Sequence, residues 1–195
     1  MPSVIRFILV SFVLLAGGGE AVAGMDLRGA TTQPVGHYEF CGRHPDRCLP
    51  GDGGARSISL TKSAWNDLDR VNRAVNRAIA PLTDEENYDT PELWTYPVTA
   101  GDCEDYALLK QYMLERAGYP RSSLLLTVLR QANGDGHAVL TVVTDRGDLV
   151  LDNLDEEVRD WSATPYVYLK RQSPKDPAKW IAIQDGRDLP VASVR

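Results

Sequence analysis

The chain is poor in the side chains that carry thiol and imidazole chemistry, with three cysteines and three histidines in 195 residues. Any such chemistry must therefore draw on a handful of positions. An excess of positive charge is also missing, since 21 Lys and Arg stand against 27 Asp and Glu for a net charge of -6. A mildly acidic chain offers no footprint for nucleic acid or an anionic membrane, and neither is expected as a primary partner. There is no internal repeat and no low-complexity tract. Long apolar runs are lacking except near the start, where Phe7 to Ala16 reads FILVSFVLLA. That run is too short to span a bilayer comfortably. With Arg6 before it and Ala21-Val22-Ala23 behind it, residues 1–23 read as a signal peptide, so Gly24 begins the mature chain. A retained anchor is the alternative. Residues 24–195 then form one domain with a single sizeable core and no membrane span, in the periplasm or secreted, where conditions are oxidising.

An odd number of cysteines in such a compartment needs explaining. Cys41 and Cys48 lie close together, with Gly42 and Pro45 allowing the chain to turn between them. A short disulfide-closed loop is the natural reading. The rival is zinc, since His37, Cys41, His44 and Cys48 have ligand-like spacings. Either way Cys103 is left over.

Residues 24–58, rich in Gly, Pro and polar side chains, predict a loop-rich lead-in. Across residues 59–80, Trp65, Leu68, Val71, Val75 and Ile79 recur at helical spacing and predict one apolar face, ended by Pro81. Thr61 and Ser63 are both suitable N-caps, and Trp65 is expected in the core. Residues 81–101 form a connector carrying Trp94 and Tyr96. A second helix is predicted over 103–117, with Gly118 and Pro120 stopping it. The period then becomes strand-like over 123–131, 137–143 and 149–153, with turns at 133–136 and 145–148 and further strands over 165–171 and 180–183. Helices followed by consecutive strands on short turns indicate an α+β fold, with N-terminal helices packed on an antiparallel sheet.

Gly101-Asp102-Cys103-Glu104-Asp105 places the lone cysteine in the first turn of the second helix, with Asp102 as its expected cap. Free N–H groups and the helix dipole there favour a thiolate. His137 opens a strand after a glycine-rich turn, and Asp152 ends an apolar strand with nothing else charged. Sulfur, ring and acid are the set a thiol nucleophile needs: attack, proton relay, and a carboxylate that fixes the imidazole tautomer. Direct pairing of His137 with Asp152 would centre the turn between residues 144 and 145. The turn signals centre between 146 and 147, so a bulge at Gly147 or a ring held above the ladder is expected, with Asn153 as a second candidate orienter. Asp102, Glu104 and Asp105 should raise the thiol pKa by like-charge repulsion. A bound divalent cation would remove that conflict, and clustered carboxylates suit Ca²⁺. The Cys103 N–H is a candidate oxyanion donor, with Trp94 or Tyr96 as a second.

These stretches resemble the bacterial transglutaminase-like cysteine peptidases. The resemblance rests on Val71-Asn72 and Val75-Asn76, Trp94-Thr95-Tyr96-Pro97, the Gly101 to Lys110 segment, Gly136-His137-Ala138-Val139-Leu140, and Val150-Leu151-Asp152-Asn153-Leu154. It implies a papain-like, transglutaminase-like core, with Cys103 as nucleophile, His137 as general base and acid, and Asp152 as orienter. It implies a single peptidase domain over 24–195 acting on a protein or peptide, with no organic cofactor. The LapG-type periplasmic branch of the family cuts large adhesins at a di-alanine site. For this chain that branch implies calcium held by Asp102 and Glu104, and an inner-membrane receptor as partner. An exported thiol hydrolase working through a thioester is thus the first expectation. An acyl transferase, or a binding module on the same fold, are the alternatives.

Overall fold

The switch from helical to strand-like periodicity near residue 120 divides the molecule into a helical layer and a sheet. The computed structural model describes residues 24–51 and 54–185. The signal peptide expected over 1–23 lies outside them. Among the described residues no helix is long and apolar enough to cross a membrane.

The lead-in is more ordered than its composition suggests. It contributes strand β1 (Leu27–Thr31), helix α1 (Val35–Arg43) and a 3-10 turn (Pro45–Arg47). Helix α1 has weak periodicity and a proline before it, which hid it. It forms through tertiary contacts: Gly36 lies so close to Trp94 that a Cβ there would sit 2.2 Å from the indole Cδ1. Cys41 and Cys48 are joined as a disulfide across the 3-10 turn, with 5.6 Å between their Cα atoms. That bond uses the sulfurs the zinc alternative needed. His44 meanwhile packs its ring against Phe40 and Tyr96. His37 is buried, and burial lowers its pKa to about 4. It is a neutral core ring that accepts a bond from the Trp180 indole N–H at 3.2 Å.

Helix α2 (Lys62–Ala78) follows, capped by Thr61, whose hydroxyl accepts from the Ala64 N–H. Its apolar face buries Ala64, Leu68, Val71 and Val75. Trp65, expected inside, is 40% exposed, because it falls one step off that stripe. The connector begins with strand β2 (Ala80–Pro81) and helix α3 (Asp84–Tyr88), the latter opened by a capping box between Thr83 and Glu86. It ends in strand β3 (Ala100–Gly101), which pairs parallel with β2. Helix α4 (Cys103–Arg116) comes next and stops before Gly118, whose φ of +98° turns the chain away.

The remaining strands are β4 (Leu124–Arg130), β5 (Gly136–Thr144), β6 (Gly147–Leu151), β7 (Arg159–Asp160), β8 (Val167–Gln172) and β9 (Trp180–Ile183). They form one sheet in the order β1-β9-β8-β4-β5-β6-β7, with every ladder antiparallel. Side-chain alternation separates two cores. Leu124, Leu126, Leu140, Val142, Leu149 and Leu151 face helices α2 and α4, meeting Leu68, Val71, Leu108 and Leu114. Leu129, Val139 and Val150 face the other way, onto Met25, Tyr166, Tyr168 and Ile183. The expected α+β architecture, with helices packed on an antiparallel sheet, is the one observed.

Candidate active site

Cys103 opens α4, the helix that lies against β5. The chain reaches it through Gly101, where a Cβ would lie 2.5 Å from the Asp105 carboxylate, so only glycine fits. Asp105 in turn accepts the Thr95 N–H at 2.8 Å and pins the connector to the helix. The sulfur is held from two sides. The Ala138 N–H donates to it at 3.3 Å, and the thiol donates to Glu104 Oε2 at 3.2 Å. Ala138 is the residue after His137, so β5 touches the sulfur through its backbone. The His137 side chain alternates to the Val139 face and packs on Tyr166, so among the described residues the ring makes no contact with the sulfur, and catalysis would need the ring to swing toward it. Burial and the Glu104 carboxylate push the thiol pKa well up.

Asp102 occupies the N-cap position, but its side chain makes no capping bond. The expected cap is therefore not formed. The carboxylate turns toward Glu104 and Asp84 instead, and these three acids bring oxygens within 4.8 Å of one another.

His137 and Asp152 meet directly, with Nε2 2.8 Å from Oδ1 and both residues buried. The β5–β6 ladder runs in unbroken register from Thr144 opposite Gly147 to Leu140 opposite Leu151, around a turn at Asp145 and Arg146. The expected bulge at Gly147 is absent from it. Continuing that register puts Asp152 opposite Val139, so His137 is its diagonal neighbour on the same face, within reach of a long side chain. Strand β6 has ended by then, and the imidazole closes the gap where the strands part. Because Nε2 faces the acid, Nδ1 is the nitrogen left for a reacting group.

Asp152 is fully engaged. Oδ1 also accepts the Leu154 N–H at 3.0 Å, and Oδ2 accepts the Tyr166 hydroxyl at 2.5 Å. Burial acts to raise its pKa, but His137, Tyr166 and Leu154 together hold it below the usual carboxylate range. Helix α2 secures the loop behind it. Asn76 Nδ2 donates to the carbonyls of Asp152 and Asp155, and Asn72 Nδ2 donates to those of Asp155 and Glu156. Asn153 makes no such contact with the ring, and the Oδ1 of its amide is buried without a partner. The Trp94 indole N–H donates to Glu92, and Tyr96 packs among Phe40, His44 and Tyr112, so both aromatics have other uses than the one expected.

The acid cluster beside the sulfur is the opposite case. Asp84 Oδ1, Asp102 Oδ1 and Glu104 Oε1 are all buried with no hydrogen-bond partner. Burial, followed by the nearby Asp102, drives Glu104 strongly toward its neutral form. Asp84 is raised chiefly by burial, and Asp105 is pushed up to about 8, again chiefly by burial. Three orphaned carboxylate oxygens converging on one point suit a hard cation that takes oxygen ligands. Sequence reasoning named Asp102 and Glu104 but missed Asp84. Its nearness depends on the parallel pairing of Ala80 with Ala100 and Pro81 with Gly101, which carries the start of α3 alongside the start of α4. A capping box at 83–86 was legible, but nothing local says what it packs against.

Comparison with known proteins gives the family and the fold. A family profile described as "Bacterial transglutaminase-like cysteine proteinase BTLCP" matches residues 27–188. Comparison with curated protein sequences returns no match. Among solved structures, Legionella pneumophila LapG in a calcium-bound form is 22% identical, with a TM-score of 0.52, covering 66% of this chain and 74% of that one. An EGTA-treated form is 24% identical with a TM-score of 0.50, covering 64% and 69%. A further LapG structure is 27% identical over 54% of this chain and 62% of its own, with a TM-score of 0.47. The match to that last structure thus leaves more than a third of its length unspanned.

Proposed function

The chain belongs to the bacterial transglutaminase-like cysteine proteinases, and from that premise we propose that it cleaves a peptide or amide bond through Cys103, His137 and Asp152. The observation that supports this reading is that β5 bonds the Cys103 sulfur through its backbone one residue from an imidazole held by a carboxylate. The Ala138 N–H lies 3.3 Å from the sulfur, and the preceding side chain is aligned by a 2.8 Å bond to a buried, low-pKa carboxylate.

His137 Nδ1 takes the thiol proton as Sγ attacks the carbonyl carbon. Asp152 keeps the Nε2–H tautomer and stabilises the imidazolium. The Cys103 N–H, in the first turn of α4 and free of an intrahelical acceptor, faces the developing oxyanion. Collapse breaks the C–N bond, the imidazolium proton passes to the departing amine, and a thioester remains. Water, deprotonated by the same imidazole, then hydrolyses it to the acid and free thiol.

Asp84, Asp102 and Glu104 would hold a calcium ion. When bound, it supplies positive charge beside the thiol and removes the carboxylate repulsion that now raises the thiol pKa. The calcium-bound and EGTA-treated forms of LapG are of that protein, and they support the reading here by likeness of fold. The substrate is a protein met outside the cytoplasm, as the leader-like residues 1–23 suggest. A receptor in the inner membrane is the regulatory partner this reading implies.

The test compares N-terminal peptides from cells carrying the wild type and Cys103→Ala, beside iodoacetamide labelling of the purified protein with and without chelator. The expected result is a cleavage product lost in the variant, together with labelling of Cys103 that chelator slows. Identical peptide profiles, with labelling no faster than free cysteine in calcium, would end the enzyme reading. An amine-modified product in place of a cut would assign acyl transfer.

A further inference from the structure

We infer that Tyr166 is a positioning residue for the His137–Asp152 pair: its hydroxyl holds the second oxygen of the carboxylate, so that the first is committed to the imidazole. This rests on the proposed roles of Cys103, His137 and Asp152. Neither the family match nor any sequence motif singled out Tyr166.

Tyr166 lies just before β8 and is 9% exposed. Its ring packs in the second core with Met25, Val139, Val150 and Tyr168, and its centroid is 5.7 Å from that of the His137 ring. From there the hydroxyl reaches Asp152 Oδ2 at 2.5 Å, in the length range of a charge-assisted O–H···O⁻ bond. The groups facing Asp152 can be named by element. His137 comes from β5, Tyr166 from the segment before β8, the Leu154 N–H from the loop after β6, and buried Lys110 from α4, acting through its charge at longer range. Asp155 and Tyr168 act in turn on Tyr166.

Without the phenol, Oδ2 would be a buried oxygen with no donor, and the carboxylate could rotate about its Cβ–Cγ bond. The His137 ring then loses its fixed aim, which lowers the rate of the chemical steps more than it weakens substrate binding. Negative charge shared with the phenol also returns to the carboxylate, which becomes more basic and holds the imidazolium proton more tightly.

The experiment uses Tyr166→Phe, which keeps the ring and its packing, studied in saturating calcium so that the acid cluster stays in one state. Its readouts are the pH profile of cleavage, kcat and KM taken separately, and the His137 titration followed by NMR. The expected result is a kcat lower by about 10-fold or more with KM nearly unchanged, and a His137 titration moved upward by about half a unit or more. A variant that loses thermal stability but keeps the wild-type His137 titration and kcat would assign Tyr166 a packing role only and overturn the inference. The NMR readout needs no turnover. If Cys103→Ala shows the protein to be no peptidase while Tyr166→Phe still shifts His137, the proposed function fails and the positioning role stands. Cleavage that depends on Cys103, with an unmoved His137 titration in Tyr166→Phe, overturns the positioning role and leaves the proposed function intact.

Discussion

Two buried acid sites in the molecule are built on opposite electrostatic plans. On one side Asp152 is buried, yet each of its oxygens has a donor, and its pKa falls below the usual range despite desolvation. On the other side Asp84, Asp102 and Glu104 each keep a buried oxygen without a donor, and burial pushes Asp84 and Glu104 toward the neutral form. Desolvation acts the same way on both. What differs is whether the chain supplies the compensating donors itself. The Asp152 side is a carboxylate whose every oxygen has a donor, whereas the acid side is complete only with a cation from outside.

That contrast can be broken most sharply by activity. His137→Ala should reduce cleavage by about 10³-fold or more even in saturating calcium, because no ion can replace the proton relay. Initial rates of wild type and variant across a calcium titration test this. A variant rescued by calcium would collapse the distinction between the two sides.

Next in size is the effect of the cation on the fold. Calcium at about a hundred times its dissociation constant should stabilise the protein by about 2.7 kcal/mol, read as a rise in Tm that chelator reverses. Glu104→Gln should lose most of that response. The sign with pH follows from the acids. Asp105, raised from 3.8 to about 8, and Glu104 and Asp84, which burial also raises, hold more protons in the folded state than in the unfolded one. Stability of the calcium-free protein should therefore fall as pH rises from about 4 through 8, and calcium should restore it most at the alkaline end. Denaturant melts at several pH values, with and without chelator, check the slope.

A smaller effect tests the finished side. Asn76→Ala removes two bonds to the carbonyls of Asp152 and Asp155. It should cost about 1–3 kcal/mol and reduce cleavage while leaving calcium affinity unchanged. Calorimetric calcium titration beside a melt separates the two. Smallest is Thr61→Ala, which removes the cap of α2 and should cost about 1 kcal/mol without altering either acid site. An effect on activity beyond that loss would show α2 coupled more tightly to the Asp152 loop than its hydrogen bonds imply.

Much of the layout was readable from local pattern. The α2 stripe, the start of α4 at Cys103, and strands β4 to β6 have periods that packing only confirms, and β9 matches residue for residue. Strand β1 and helix α1 were not readable. The exposed side chains of β1 carry no alternation, and α1 is held by Trp94 and a disulfide rather than by its own propensity. Trp65 was misplaced for a local reason, since it falls one step off the α2 stripe. The Asp102 cap fails for a tertiary one, because its carboxylate turns to Asp84, which is far away in sequence, and to Glu104.

Sequence alone determined which side chains could do chemistry here. With one unpaired cysteine, one histidine in the second half and one acid closing an apolar strand, the residue types left few combinations. Which of them meet was decided by tertiary structure. The ladder register sets His137 diagonal to Asp152, and the parallel β2–β3 pair brings Asp84 beside Asp102 and Glu104. The chain fold places the Tyr166 hydroxyl on the far oxygen of the acid. Side-chain identity is a property of each position, whereas burial, donor count and charge proximity belong to contacts between positions far apart in the chain, and those exist only once the chain is folded.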